Sequence, residues 1–353
     1  MKHYAKPLNI TGHIIVPSVI WIFLIAFIAS LALTGLLRRY ALSVSLLDIP
    51  NDRSSHTLPT PRGGGVAIVV VFLLGIIVLL KLGLLSTATS WALFGAGAWV
   101  AVIGFIDDHQ HIPARWRLLA HFVAAAWGLF WLGDLPVLPL FGFSVDLGWT
   151  GTVLAGFYLV WMLNLYNFMD GIDGLASIEA VSVCAGGLLL SVLGSNETGL
   201  SYALLLQIMA VAGFLVWNYP PAKIFMGDAG SGFLGITLGL FSLQAAIQAP
   251  QFFWSWLILL GVFIVDATWT LTQRFLRGEK IYEAHRSHAY QSASRHYSSH
   301  KTVSLAVAAI NVLWLFPVAL WVGLGDLNGL LGVGIAYLPL VLLVIKFKAG
   351  LSS

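Results

Sequence analysis

Eleven apolar runs, most of them about twenty residues long, constrain this chain more than any single motif does. They fall at about 14–37, 64–82, 89–106, 117–133, 150–166, 175–193, 202–218, 230–247, 252–272, 302–323 and 328–346. A helix needs about 20 apolar residues to cross the hydrocarbon core of a bilayer, whereas a membrane β-strand needs about 10 of alternating polarity. These runs are apolar on every side and do not alternate, so helices are the expected spanning elements. Composition agrees: 59% of residues are hydrophobic and 9% charged, against roughly 25% charged in soluble domains. The expected fold class is all-α, a polytopic integral membrane protein with ten or eleven transmembrane helices. Residues 1–353 read as a single membrane domain, because the longest polar interval, about 273–301, is too short for an inserted soluble domain. The first run ends on Arg38-Arg39 rather than a small-residue cleavage site, so it reads as a membrane helix and not a signal peptide. The lone Cys184 reads as a packing residue inside an apolar run.

Alternation of these helices sorts the basic residues. One side receives Arg38, Arg39, Arg53, Arg62, Arg115, Arg117, Lys223, Arg274, Arg277, Lys280, Arg286, Arg295, Lys301, Lys346 and Lys348; the other receives Lys2, Lys6 and Lys81. The positive-inside rule makes the rich side cytoplasmic, with the amino terminus periplasmic and the carboxyl terminus cytoplasmic in a bacterial inner membrane. That rule does not explain why Asp48, Asp52, Asp107, Asp108, Asp170, Asp173, Asp228, Glu279 and Glu283 gather on the same side. A cytoplasmic-face active site would.

Five motifs carry the chemistry. Asp48 to Gly65 contains Arg53, Arg62 and a glycine triplet, which suits an anion cradle beside a helix start or, more simply, a flexible turn with topology-setting arginines. Asp107-Asp108 leaves a helix at its carboxyl end, where the dipole disfavours acids, so a cation or ion pairing with Arg115 and Arg117 is expected. Asn164-Leu-Tyr-Asn167-Phe-Met-Asp170-Gly-Ile-Asp173-Gly joins two apolar runs. Aspartates there can cap the next helix, but capping needs one residue and two are present. Lys223-Ile-Phe-Met-Gly-Asp228-Ala-Gly suits a Mg2+ ligand, since Mg2+ takes one or two carboxylates and leaves its other positions to water and phosphate. Glu283-Ala-His285-Arg286-Ser-His288 has two histidines three apart, but Arg286 between them disfavours zinc and favours phosphate or sugar binding. Asp266 lies inside an apolar run and reads as a buried helix-to-helix partner or a group supporting the site from behind.

Taken in this order, the motifs resemble the polyprenyl-phosphate N-acetylhexosamine-1-phosphate transferase family, the MraY and WecA type. The resemblance implies transfer of a sugar-1-phosphate from a UDP-sugar to undecaprenyl phosphate, giving the lipid diphosphate sugar and UMP. It implies Mg2+, with Mn2+ as a substitute, on Asp228 with Asn167. It implies Asp107 and Asp108, with Asp228, as the catalytic acids, and Arg117 on the lipid phosphate. It also implies Asp173 on the uracil with Asp170 beside it, and His285, Arg286 and His288 closing over the diphosphate and sugar. Arg53, Arg62, Asn164 and Lys223 join the substrate-binding set. The histidine segment lacks a triple histidine and looks more like enzymes that initiate O-antigen or related surface-polysaccharide assembly. Expected partners are the UDP-sugar, undecaprenyl phosphate and membrane lipid, with no nucleic acid and with a homodimer left open. The rival reading is a transporter or lipid flippase, which would place its polar site near the bilayer midplane on interrupted helices.

Overall fold

A computed structural model describes residues 17–50, 58–110, 112–140, 143–194, 198–279 and 286–351. Arg53 and His285 therefore lie outside the described residues. In chain order the elements are α1 (Pro17–Ser43), β1 (Leu47–Asp48), β2 (Thr60–Pro61), α2 (Val66–Lys81), α3 (Thr87–His109), α4 (Ala114–Leu132), β3 (Leu138–Leu140), β4 (Phe143–Val145), α5 (Gly148–Met169), α6 (Leu175–Gly194), α7 (Gly199–Asn218) and α8 (Asp228–Gln248). They continue with α9 (Phe252–Leu259), α10 (Gly261–Leu276), α11 (Ala289–Tyr297), α12 (His300–Ile310), a π-helical turn (Asn311–Leu315), α13 (Phe316–Gly323) and α14 (Gly329–Lys346). The strands form two short antiparallel ribbons, β1 with β2 and β3 with β4.

Over the described residues, each apolar run is mostly helical. Among the described residues, eight helices are long and apolar enough to cross a membrane, and α9 with α10 forms a ninth if the bent pair is one span. The run at 252–272 is thus not one straight helix: it bends by 70° at Leu260. The run at 302–323 carries the π-turn, and Pro317 explains it, since proline has no N–H to continue the ladder and its ring crowds the preceding turn.

Helix α8 is the axis of the bundle and is buried on nearly all sides, including Phe233, Ile236, Leu240 and Phe241. Its glycines let neighbours approach. A Cβ on Gly235 would lie 2.7 Å from the Leu163 Cα in α5. One end of this axis meets the carboxyl ends of α3 and α5 and the amino end of α4, and there the polar residues collect.

Candidate active site

The site is built around the turn that starts α8. Gly227 has φ +79, a left-handed conformation that glycine adopts without steric cost. The Asp108 carboxylate, from the end of α3, accepts hydrogen bonds from the Asp228 N–H (3.2 Å) and the Ala229 N–H (3.3 Å). An acid disfavoured by its own helix dipole is thereby placed at the favourable amino end of another helix. The Arg62 guanidinium donates to the Asp108 main-chain carbonyl. Gly64 N–H donates to the Phe225 carbonyl (2.9 Å), Gly65 N–H to the Met226 carbonyl (2.8 Å), and Phe225 N–H to the Pro61 carbonyl (2.8 Å). The glycine triplet is thus not the anion cradle its sequence suggested. Two of its amides are engaged with backbone carbonyls, and Gly65 is needed because a Cβ there would lie 2.5 Å from the Gly230 Cα.

Against this scaffold a cavity of about 170 Å³ opens, lined by Asp107, Arg117, His121, Asn164, Asn167 and Asp228 among others. Asp107 is fixed by the Ile112 N–H (2.8 Å) and by Arg117, whose guanidinium also lies 3.9 Å from Asp228 Oδ2. Asn167 Nδ2 donates to Asp228 Oδ1 (2.9 Å) and to Ser231 Oγ (2.9 Å). Asn164 donates to the Val160 carbonyl (2.7 Å) and faces His121 Nδ1 at 3.5 Å. Among the described residues no three His, Cys, Asp or Glu side chains cluster as a metal site. The donors here are two carboxylates and an amide, all hard oxygen donors once the Asn167 amide is turned to face a cation, and that set fits Mg2+.

Asp170 and Asp173 follow α5. Burial, reinforced by the carboxylates of Asp228, Asp108 and Asp173, pushes the Asp170 pKa well above the ordinary carboxylate value. Asp173 Oδ2 accepts the Ala222 N–H (3.0 Å), and Oδ1 lies 3.1 Å from His300 Nδ1. Lys223 is exposed, with its ammonium 5.7 Å above the Trp217 ring, which also carries Arg38 at 5.9 Å.

Helix α11 rests on Asp266, whose carboxylate accepts the Ala289 N–H (2.9 Å), the Tyr290 N–H (2.9 Å) and the Thr270 hydroxyl (3.1 Å). This is the buried inter-helix role expected for that residue. His288 is buried with Nδ1 at 3.2 Å from Asp266, while Arg286 is exposed. The Tyr290 hydroxyl donates to the Phe168 carbonyl (3.0 Å), so α11 is docked beside the Asp170 turn, and burial pushes that phenol's pKa up.

The structure therefore brings Asp107, Arg117, Asn164, Asn167 and Asp228 into one cavity, with Asp108 and Arg62 behind it. Four polar residues escaped the sequence reading. His121 lines the cavity, buried Ser231 accepts from Asn167, His300 is on Asp173, and Glu179 is fully buried on α6 with Oε2 accepting from Asn311 Nδ2 at 2.6 Å. A lone acid within an apolar run was the available signal for Glu179.

Residues 90–246 match the sequence profile of a family described as glycosyl transferase family 4. The chain is 28% identical over 298 residues, 83% of its length and 82% of the relative's, to a Bacillus subtilis protein named probable undecaprenyl-phosphate N-acetylglucosaminyl 1-phosphate transferase. It is 29% identical over 317 residues, 81% and 77% of the two chains, to the decaprenyl-phosphate N-acetylglucosaminephosphotransferase of Mycobacterium tuberculosis. It is 30% identical over 243 residues, 65% and 70% of the two chains, to the phospho-N-acetylmuramoyl-pentapeptide-transferase of Lactococcus lactis. The matched profile contains every residue named for the cavity above.

Proposed function

The chain belongs to glycosyl transferase family 4, and from that membership and the cavity at the start of α8 we propose that it is a membrane-embedded polyprenyl-phosphate sugar-1-phosphate transferase. The acceptor is undecaprenyl phosphate and the donor a UDP-N-acetylhexosamine, and the product begins a cell-surface polysaccharide of the O-antigen kind. The observation that carries the reading is the convergence of Asp107, Arg117, Asn167 and Asp228 on one cavity at the ends of four helices.

In this reading an oxygen of the lipid phosphate attacks the sugar-bearing phosphorus of the donor. The bond from that phosphorus to the bridging oxygen breaks, and UMP leaves. Arg117 binds the acceptor phosphate, and Asp107 holds the guanidinium in place and takes or steers the proton of the acceptor phosphate. Asp228 and Asn167 would hold Mg2+, which supplies charge neutralisation on the diphosphate. Asp173 and Asp170 address the nucleotide, and Arg286 with His285 covers the diphosphate and sugar, while His288, buried on Asp266, supports that segment from behind. The lipid tail stays in the bilayer while the donor arrives from the cytosol, so a site at the helix ends lets both reach the same phosphorus.

The test is formation of radiolabelled lipid from a panel of UDP-N-acetylhexosamines and undecaprenyl phosphate by the purified full chain, with Mg2+ or Mn2+ and with EDTA. The wild type forms lipid-linked sugar and releases UMP only with the cation, and Asp228→Asn lowers the rate by about 10²-fold or more. Normal UMP release by Asp228→Asn would sink the site assignment, and no lipid product from any donor would sink the function.

A further inference from the structure

Helix α4 begins at Ala114, at the end of the bundle where the polar residues collect, and runs toward its apolar middle. His121 follows Arg117 by four residues, so the two side chains share a face, with His121 one turn, about 5.4 Å, further along the axis. Both line the cavity that also takes in Asp107, Asn164, Asn167 and Asp228. Its wall is completed by apolar side chains, among them Val100, Ile103, Leu118 and Leu163.

The contacts of Asn164 fix which nitrogen of His121 carries the ring proton. A main-chain carbonyl can only accept, so the Asn164 atom 2.7 Å from the Val160 carbonyl oxygen is the amide nitrogen. That nitrogen has a second hydrogen, and His121 Nδ1 lies 3.5 Å from it. A protonated ring would set two donors against each other there. The neutral ring accepts at Nδ1 and holds its proton at Nε2. Among the described residues Nε2 has no hydrogen-bond partner, and it is not sealed off from the cavity. A half-buried N–H is thus offered to the cavity one turn beyond a guanidinium that Asp107 already holds.

We propose that His121 is a further binding residue for the acceptor lipid: its Nε2–H donates to a phosphate oxygen of undecaprenyl phosphate beside Arg117, and Asn164 holds the ring in the tautomer that can do so. This rests on the reading that Arg117 binds the acceptor phosphate. The acceptor suits this position better than the donor, because its phosphate comes from the hydrocarbon with a prenyl chain that the apolar wall can meet, whereas the nucleotide enters from water at the helix ends. A neutral donor also suits a cavity that already contains two carboxylates: it adds a charge-assisted hydrogen bond to the phosphate without adding a cation for Asp107 or Asp228 to capture.

The experiment uses the full chain in lipid nanodiscs. It measures the KM for undecaprenyl phosphate, the KM for the UDP-sugar, the affinity for UMP and the melting temperature. The variants are His121→Ala, His121→Gln, His121→Asn and Arg117→Ala. His121→Ala is expected to raise the acceptor KM by about tenfold or more, the worth of a hydrogen bond to a charged group, with the UDP-sugar KM and UMP affinity within about twofold. His121→Gln, whose amide N–H falls near the position of Nε2, recovers most of the loss, and His121→Asn, whose amide falls near Nδ1, does not. An acceptor KM unchanged in His121→Ala but raised in Arg117→Ala would overturn the proposal and leave the Arg117 reading standing. An acceptor KM unchanged in both would overturn both. A raised UDP-sugar KM with the acceptor KM unchanged would place His121 on the donor and overturn the proposal. Equal recovery by His121→Gln and His121→Asn, or a loss in every variant that follows the melting temperature, would show a packing role and overturn it as well.

Discussion

Replacing Gly104 by alanine tests whether helix approach sets the geometry of the site. Gly104 lies in the last turns of α3, and a Cβ there would sit 2.6 Å from the Ala229 nitrogen and from the carbonyl carbon and oxygen of Asp228. Non-bonded carbon contacts are optimal at about 3.5–4.0 Å, so α3 and the start of α8 must part by roughly 1 Å. The obstructing atoms are backbone, so no side-chain rotation relieves the clash. Overpacking of this kind costs about 1–3 kcal/mol. On an unobstructed helix the same change would be favourable by up to about 1 kcal/mol, because alanine is the better helix former. The two expectations differ in sign. The shift also stretches the hydrogen bonds from Asp228 and Ala229 to Asp108 and moves the Asp228 carboxylate relative to Asp107 and Asn167, and a misplacement of about 1 Å can lower a rate by about 10²-fold. The assay is initial rate of lipid-linked sugar formation, with melting temperature in the same detergent. Gly334→Ala on α14 is the control, since a Cβ there meets nothing within 4 Å. If Gly104→Ala matches Gly334→Ala in rate and melting temperature, the close approach does not set the site geometry.

Asp108→Ala should lower stability by about 1.5–3 kcal/mol, the worth of hydrogen bonds to a charged group, and Asp108→Asn should restore part of it, as read by thermal unfolding. Asp170 binds a proton in the folded state that the unfolded chain releases near pH ~3.9, because its folded pKa is raised. Its contribution to stability is therefore full below that pH and declines as pH rises toward the folded value. In EDTA, the melting temperature of Asp170→Asn relative to wild type should rise with pH from about 5 to about 8; a difference independent of pH would contradict the raised value. Asn311→Ala removes a donor from the fully buried Glu179 and should cost about 1–3 kcal/mol by thermal unfolding; no change in melting temperature would mean that the contact is not worth its desolvation.

The helices were legible because bilayer thickness and backbone satisfaction leave few ways to use a twenty-residue apolar run. The start of a helix near Asp228 was legible too, because a polar, glycine-rich string precedes an apolar run there, although that string by itself is a common turn. Partnership was not legible. Asp108 caps a helix that begins 120 residues later, and Glu179 finds Asn311 at a separation of 132. The glycine triplet after Arg62 looked like an anion site because sequence shows which amides are exposed by small residues but not which carbonyls reach them. The 70° bend at Leu260 has no internal proline to announce it, and α11 sits in a polar interval with no apolar run around it.

The acids that crowd one end of this bundle divide by what their oxygens do. Asp108 and Asp266 use theirs on main-chain N–H groups at the amino ends of α8 and α11, helices other than their own. Helix ends close to hydrocarbon have unsatisfied N–H groups that bulk water reaches poorly, and a carboxylate from a neighbouring helix satisfies two at once and joins the helices. Asp107 and Asp228 instead turn toward a cavity, each held by a side chain, Arg117 or Asn167. Holding helix amino ends and lining the cavity are therefore tasks of different acids. Each depends on the other, because Asp228 can face the cavity in a fixed orientation only while its own N–H is held from behind by Asp108.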